Sequence, residues 1–120
     1  MGTRTVTFTV PGKTVSKSNA YRICGKRLRK TKECKDWEAA IQKVAASVYS
    51  EEPHEGTVHL KINLYFPDKR RRDVDGPLKA ILDAMNNLIY KDDSQVFRIL
   101  VDKDIDRDNP RIEINCSLID

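Results

Sequence analysis

Ten residues, TVHLKINLYF (57–66), alternate between apolar and polar side chains, and no other stretch constrains the fold as tightly. Successive side chains of a strand point to opposite faces, so Val58, Leu60, Ile62, Leu64 and Phe66 share one face. A strand with one apolar face must bury it, and the rest of the chain supplies the cover. TVTFTV (5–10) repeats the pattern with Val6, Phe8 and Val10, and Pro11-Gly12 stops it. From Thr31 to Ser50 the period lengthens. Trp37, Ala40, Ile41, Val44 and Val48 fall on one helical stripe, with Lys35, Asp36, Gln42 and Lys43 off it. Pro53 and Gly56 break that pattern. Leu78, Ile81, Leu82, Met85 and Ile89 form a second stripe, with Pro77 where a first-turn proline is tolerated and Asp75 or Gly76 placed to cap. QVFRILV (95–101) and RIEINCSL (111–118) read as two further strands. The order β-α-β-α-β-β predicts an α+β fold: a mixed four-stranded sheet with both helices on one face, in a single domain spanning 1–120.

A chain of 120 residues buries one core without disulfide or metal staples. Its charge is unevenly placed. Residues 1–50 carry 11 Lys/Arg against 3 Asp/Glu, whereas residues 51–120 carry 11 against 15. A basic half joined to an acidic half suits a protein that binds a polyanion and also holds cations. Residues 12–32 concentrate the basic charge in Lys13, Lys17, Arg22, Lys26, Arg27, Arg29, Lys30 and Lys32, and read as a long loop with a hairpin around Gly25. Cys24, Cys34 and Cys116 show no CxxC spacing and, with only His54 and His59 beside them, give no zinc pattern; they read as reduced thiols. No segment is apolar over a membrane-spanning length, and the chain reads as cytoplasmic.

Two motifs fail on inspection. PGKT (11–14) looks like the end of a phosphate-binding loop, but the first glycine that motif needs is Thr7. Asp102, Asp104, Asp106 and Glu113 fall at positions 1, 3, 5 and 12 of a calcium-binding helix-loop-helix, but position 6 is Arg107 and both flanks are strand-like. The simpler reading is an acidic hairpin connection.

DKRRRDVDGPLK (68–79) is different. Lys69, Arg70, Arg71 and Arg72 abut Asp73 and Asp75 just before a helix. In an extended segment the two aspartates project to one side, and oxygen donors without His or Cys suit Mg²⁺ or Mn²⁺. The helix N-terminus favours phosphate, and Lys79, four residues past Asp75, reaches the same space. Such a set suits phosphodiester hydrolysis, with the cations bringing a phosphate backbone to carboxylates that would otherwise repel it. The competing reading is a charged loop whose aspartates cap a helix and pair with arginines, in a nucleic-acid-binding module without catalysis. A second acidic pair, Asp92-Asp93, follows the helix; it is either a turn or a further ligand source. In a βαβ unit it lies at the opposite end of the sheet from Asp73 and Asp75, so it joins them only if the third strand is antiparallel or a second subunit completes the site.

Taken together, PDKRRRDVDGPLKAILDAMNNLIYKDDSQV (67–96) resembles the RusA family of Holliday junction resolvases, small phage- and prophage-associated endodeoxyribonucleases. The shared pattern is an arginine run, D-x-D, a lysine four residues on, a helix with LLDA-like text, and D-D-x-Q-V. The segment SKSNAYR after Pro11 looks like the family's N-terminal segment. The resemblance implies a homodimer that binds four-way branched DNA and makes paired symmetric nicks with Mg²⁺, or Mn²⁺ in its place, and no small-molecule cofactor. Carried over by matching text, Asp73, Asp75 and Asp93 would hold the metal, Lys79 would be the essential lysine, and Asp92 the less critical acid. Gly76-Pro77 stands where members commonly have Asn and an apolar residue, which bears on how the helix starts. The basic residues Lys26, Arg27, Arg29, Lys30 and Lys32, with the run 69–72, are the expected DNA contacts.

Overall fold

A computed structural model describes residues 2–16 and 20–120. Lys17, Ser18 and Asn19, within the basic loop and the SKSNAYR segment, lie outside the described residues. Strand β1 covers Thr3–Pro11, β2 Tyr21–Cys24, β3 Arg27–Lys30, β4 Thr57–Phe66, β5 Val96–Ile105 and β6 Arg111–Ile119. Helix α1 covers Lys32–Val48 and α2 Asp75–Met85, and a short 3₁₀ turn, Asp93–Gln95, leads into β5. The main sheet has the order β1-β6-β4-β5, with β6 antiparallel to both neighbours and β4 parallel to β5. The expected α+β architecture is present: a mixed four-stranded sheet and two helices in the stated order.

The alternation in 57–66 holds: Val58, Leu60, Ile62, Leu64 and Phe66 are all buried. Each such side chain contributes about 1.5–3 kcal/mol on burial, enough to fix the register of a central strand. Val6, Phe8 and Val10 of β1 and Ile112, Ile114, Cys116 and Leu118 of β6 join the same core. The expected link between β5 and β6 as a hairpin is wrong. The two are not neighbours, because β4, apolar along one whole face, takes the central place between them. Asp106 of that link pairs with Arg111 at 2.8 Å, and Arg111 also pairs with Glu113 of β6 at 3.0 Å and lies over the Tyr65 ring.

Helix α1 starts at Thr31, whose side chain accepts a hydrogen bond from the Cys34 N–H. Its buried face is Cys34, Trp37, Ile41 and Ala45. The expected stripe is therefore rotated: Ala40 and Val48 are exposed, and Cys34 and Ala45 take their places, with buried Tyr49 closing the end of the helix. An exposed alanine costs little, so it carries little information about the buried face. Helix α2 begins one residue earlier than expected. Val74 is its N-cap without a side-chain bond, and Asp75 stands in the first turn. It also ends earlier, at Met85, where Asn87 takes a left-handed conformation (φ 61°) and turns the chain back. Ile89 is buried beyond the helix, not on it.

The basic loop is ordered over 21–30 as the hairpin β2–β3, Tyr21 opposite Lys30 and Cys24 opposite Arg27. Gly25 has φ 64° at the first position of its two-residue turn, where this turn needs glycine.

Candidate active site

Asp68 is the anchor of the arginine run. Its carboxylate accepts from Arg72 Nη1 at 2.7 Å and from the Arg70 N–H at 3.0 Å, and those bonds hold the Asp68 pKa below the ordinary carboxylate value. Arg72 also lies over the Phe66 ring, 4.8 Å from its centroid, and its side chain is only 19% exposed. Lys103 of β5 donates to the Arg72 carbonyl at 2.8 Å and ties the loop to the sheet edge. Arg72 thus folds the loop, while Lys69, Arg70 and Arg71 stand in solvent. A cleft of about 400 Å³ is lined by Lys13, Arg70, Arg71 and Arg72 and also by the carboxylates of Glu33 and Asp68.

Asp73 and Asp75 are both exposed at the start of α2. The segment is not extended through them, since Val74 adopts the right-handed helical region (φ −96°, ψ −18°) as the helix begins. Asp75, Lys79 and Asp83 follow one another at intervals of four residues, one helical face. Lys79 Nζ lies 3.4 Å from Asp83, and its side chain is 62% exposed. Asp83 in turn accepts from Lys30 of the hairpin at 2.9 Å, and Lys30 also pairs with Glu38 of α1 at 2.9 Å. Burial opposes the Lys30 charge, but the hydrogen bonds to Glu38 and Asp83 outweigh it and its pKa is raised. Lys30 is therefore engaged within the fold, whereas Lys26, Arg27 and Arg29 are exposed on the hairpin. Asp83 did not emerge from the sequence as a site residue; its place four residues after Lys79 was the available signal.

The D-D-x-Q-V segment is organised by Gln95. Its side-chain oxygen accepts from the N–H groups of Lys91 and Asp92, both at 2.9 Å, and its nitrogen donates to the carbonyls of His54 (2.7 Å) and Gly56 (2.8 Å). Asp92 caps the 3₁₀ turn by accepting from the Ser94 N–H at 3.0 Å, and this bond lowers its pKa. That leaves Asp93 as the carboxylate of the pair not used as the cap.

The structure does not bring the three expected ligands together. β5 runs parallel to β4, so Asp93, just before β5, sits at the opposite end of the sheet from the segment that leaves β4. The 11 residues of α2 alone span about 16 Å, far more than a coordination sphere. Among the described residues no three of His, Cys, Asp and Glu converge to hold a metal ion. Asp73 and Asp75 suit a hard divalent cation by donor chemistry; the full set of three does not fit within one chain.

The ordered run of charges, the helix that carries Lys79 and the Gln95-fastened turn all fall within one matched family. The sequence profile described as Endodeoxyribonuclease RusA matches residues 11–117. The chain belongs to the RusA endodeoxyribonuclease family. It is 28% identical over 95 residues to the crossover junction endodeoxyribonuclease RusA of Aquifex aeolicus (strain VF5), covering 78% of this chain and 75% of that protein. It is also 50% identical over 42 residues to the uncharacterized protein YqaN of Bacillus subtilis (strain 168), covering 35% of this chain and 29% of that one. In this RusA-family chain no helix among the described residues is long and apolar enough to cross a membrane.

Proposed function

We infer that this chain is a metal-dependent endodeoxyribonuclease that resolves Holliday junctions and related branched DNA by paired symmetric nicks, acting as a homodimer in the cytoplasm. The observation that supports it best is one arrangement: two exposed carboxylates at a helix N-terminus, a lysine one turn on, and the exposed cations Lys69, Arg70 and Arg71 just before them in the chain. Asp73 and Asp75 would hold the cation, Mg²⁺ or Mn²⁺, with Asp93 reaching the site only from the second subunit of the homodimer. When bound, the cation supplies Lewis acidity, lowering the pKa of water and offsetting phosphate charge.

The chain's own residues do the rest. Lys69, Arg70 and Arg71 meet the phosphate backbone and hold its register, since phosphate contacts position without reading sequence. The α2 N-terminus presents backbone N–H groups to a phosphate oxygen. Lys79 places its ammonium against the charge that grows on the phosphate during attack, held in line by Asp83. Arg27, Arg29 and Lys26 extend the basic surface along a second arm. Two sites related by a two-fold axis match a two-fold junction.

The test is cleavage of an end-labelled synthetic four-way junction in Mg²⁺ and in EDTA, beside a linear duplex of the same sequence and the Asp75→Asn variant. Paired nicks confined to the junction, needing the metal and lost in the variant, are expected. Tight junction binding without cutting in either Mg²⁺ or Mn²⁺ would leave a binding module instead.

A further inference from the structure

The β2–β3 hairpin ends in two bare apolar side chains. Ile23 is 77% exposed and Leu28 66%. They stand directly opposite each other and so share one face of the ribbon. Tyr21 and Lys30, the pair two residues nearer the base, lie on the same face. Tyr21 packs against the core, and Lys30 binds Asp83 of α2 and Glu38 of α1. That face is therefore seated on the body of the protein at its base and runs out past it, and the Ile23–Leu28 pair is the first left uncovered. A two-stranded ribbon is marginal in water by itself, and apolar side chains exposed at its end add nothing to the stability of the fold.

The charges around the pair select what covers it. Residues 21–30, YRICGKRLRK, hold five cations, Arg22, Lys26, Arg27, Arg29 and Lys30, and no carboxylate. Arg22, Arg27 and Arg29 form the opposite face with Cys24, all of them exposed. A second copy of the hairpin would meet like charge, whereas a polyanion with apolar surfaces of its own complements both faces. DNA is such a partner, with phosphates outside and base-pair faces within. In a linear duplex the next base pair covers each of those faces, and prising two apart costs stacking energy. At a branch point the stack is interrupted, and the base pair that closes an arm turns a bare face outward.

The position suits the reaction. Leu28 is two residues, about 6.6 Å of strand, from Lys30, which shares Asp83 with Lys79. The apolar pair thus lies beside the lysine assigned above to the reacting phosphate. We propose that Ile23 and Leu28 form a wedge that covers the open face of a base pair at the branch, while the hairpin's arginines hold the flanking phosphates. This contact is what tells branched DNA from linear. It rests on the functional reading above and adds to it the residues that recognise the branch.

The test is binding in EDTA, where nothing is cut, to a synthetic four-way junction with 2-aminopurine beside the branch, and to a linear duplex of the same sequence. The wild type should raise the 2-aminopurine fluorescence as the base leaves its neighbour. Ile23→Thr with Leu28→Thr keeps two strand-compatible side chains and every cation. This double variant should lose the fluorescence rise and about tenfold or more in junction affinity, with affinity for the duplex and the salt slope unchanged. Ile23→Leu with Leu28→Ile, which keeps the apolar surface, should behave as the wild type. The wedge is wrong, and the nuclease reading stands, if the threonine variant keeps both the rise and the junction preference, or if the apolar swap loses as much as the threonine variant. It is equally wrong if the threonine variant changes the molar mass in solution and leaves junction binding intact, since the pair then joins copies of the chain. If the wild type binds junction and duplex alike, both readings fall together.

Discussion

Lys30 of the hairpin and Lys79 of α2 meet at a single carboxylate: Asp83 lies 2.9 Å from the first and 3.4 Å from the second. The side chain that holds the proposed transition-state lysine thus also anchors the basic hairpin to the helix.

Asp83→Asn keeps the shape and removes the charge. We expect kcat for junction cutting to fall roughly 10- to 100-fold, as misplacement of a reacting group does. Mn²⁺ affinity and KM should hardly move. Asp83→Ala should also cost about 1.5–3 kcal/mol in urea unfolding, the range for hydrogen bonds to charged groups. A fall in stability with kcat unchanged in Asp83→Asn would make Asp83 purely architectural.

The three thiols should separate cleanly in alkylation. Cys24 is exposed on the hairpin, whereas Cys34 and Cys116 are buried. Burial pushes the Cys34 thiol up to about 11, with Glu38 adding to it, and the Cys116 thiol up to about 12. Iodoacetamide at pH 8 should label one cysteine in the native protein and three in urea, read by intact mass. Saturating junction DNA should slow labelling of Cys24, since Arg27 stands opposite it.

Gly56 is required by a close approach. A Cβ there would lie 2.4 Å from the Ile119 carbonyl oxygen and 2.9 Å from His54 Nε2, which itself donates to that oxygen. Gly56→Ala should destabilise by about 1–3 kcal/mol, the cost of forced overpacking, measured by urea midpoint. The Gly56 carbonyl accepts from Gln95, so the turn carrying Asp93 should show faster amide exchange.

Acid should weaken the fold in a defined window. Asp68, Asp92 and Asp106 have folded pKa values below the ordinary carboxylate value, owing first to hydrogen bonds from Arg72, Ser94 and Arg111. The unfolded chain therefore takes up protons first, and their contribution, present above the unfolded value, is lost as pH falls through the folded ones. Urea midpoints should drop between about pH 5 and about pH 3, and drop less in Asp68→Asn and Asp106→Asn.

Local chemistry made much of this molecule readable in its sequence. The alternation of 57–66, the turn at Gly25 and the stop at Pro11-Gly12 each follow from neighbours in the chain, and each is present. Where the reading slipped, the deciding contact was distant. Ala40 and Val48 matched a helical stripe, but α1 presents Cys34 and Ala45 because its packing partners chose the face. The neighbours of β4 are set by sheet order, which no local pattern states, so a hairpin reading of the β5–β6 link fails. The proposed site divides likewise. Asp73, Asp75 and Lys79 are close in sequence, at and just before the first turns of α2, whereas the position of Asp93 depends on β5 lying parallel to β4. Asp83 is hidden in the sequence because a carboxylate on a helix usually faces water; this one has a partner, Lys30, 53 residues away.

The inward turn of Arg72 changes how many of the four consecutive cations meet the solvent. Its charge is already matched by Asp68, so it neutralises no phosphate and displaces no cation condensed on the DNA. Counterion release should then come from its three neighbours: Lys69→Ala should reduce the slope of log affinity against log salt by about 0.9. Arg72→Ala should instead lower affinity at every ionic strength in parallel, because what it removes is the shape of the loop. A line of like charges in the sequence is thus two populations, one that drives cations off the DNA and one that does not.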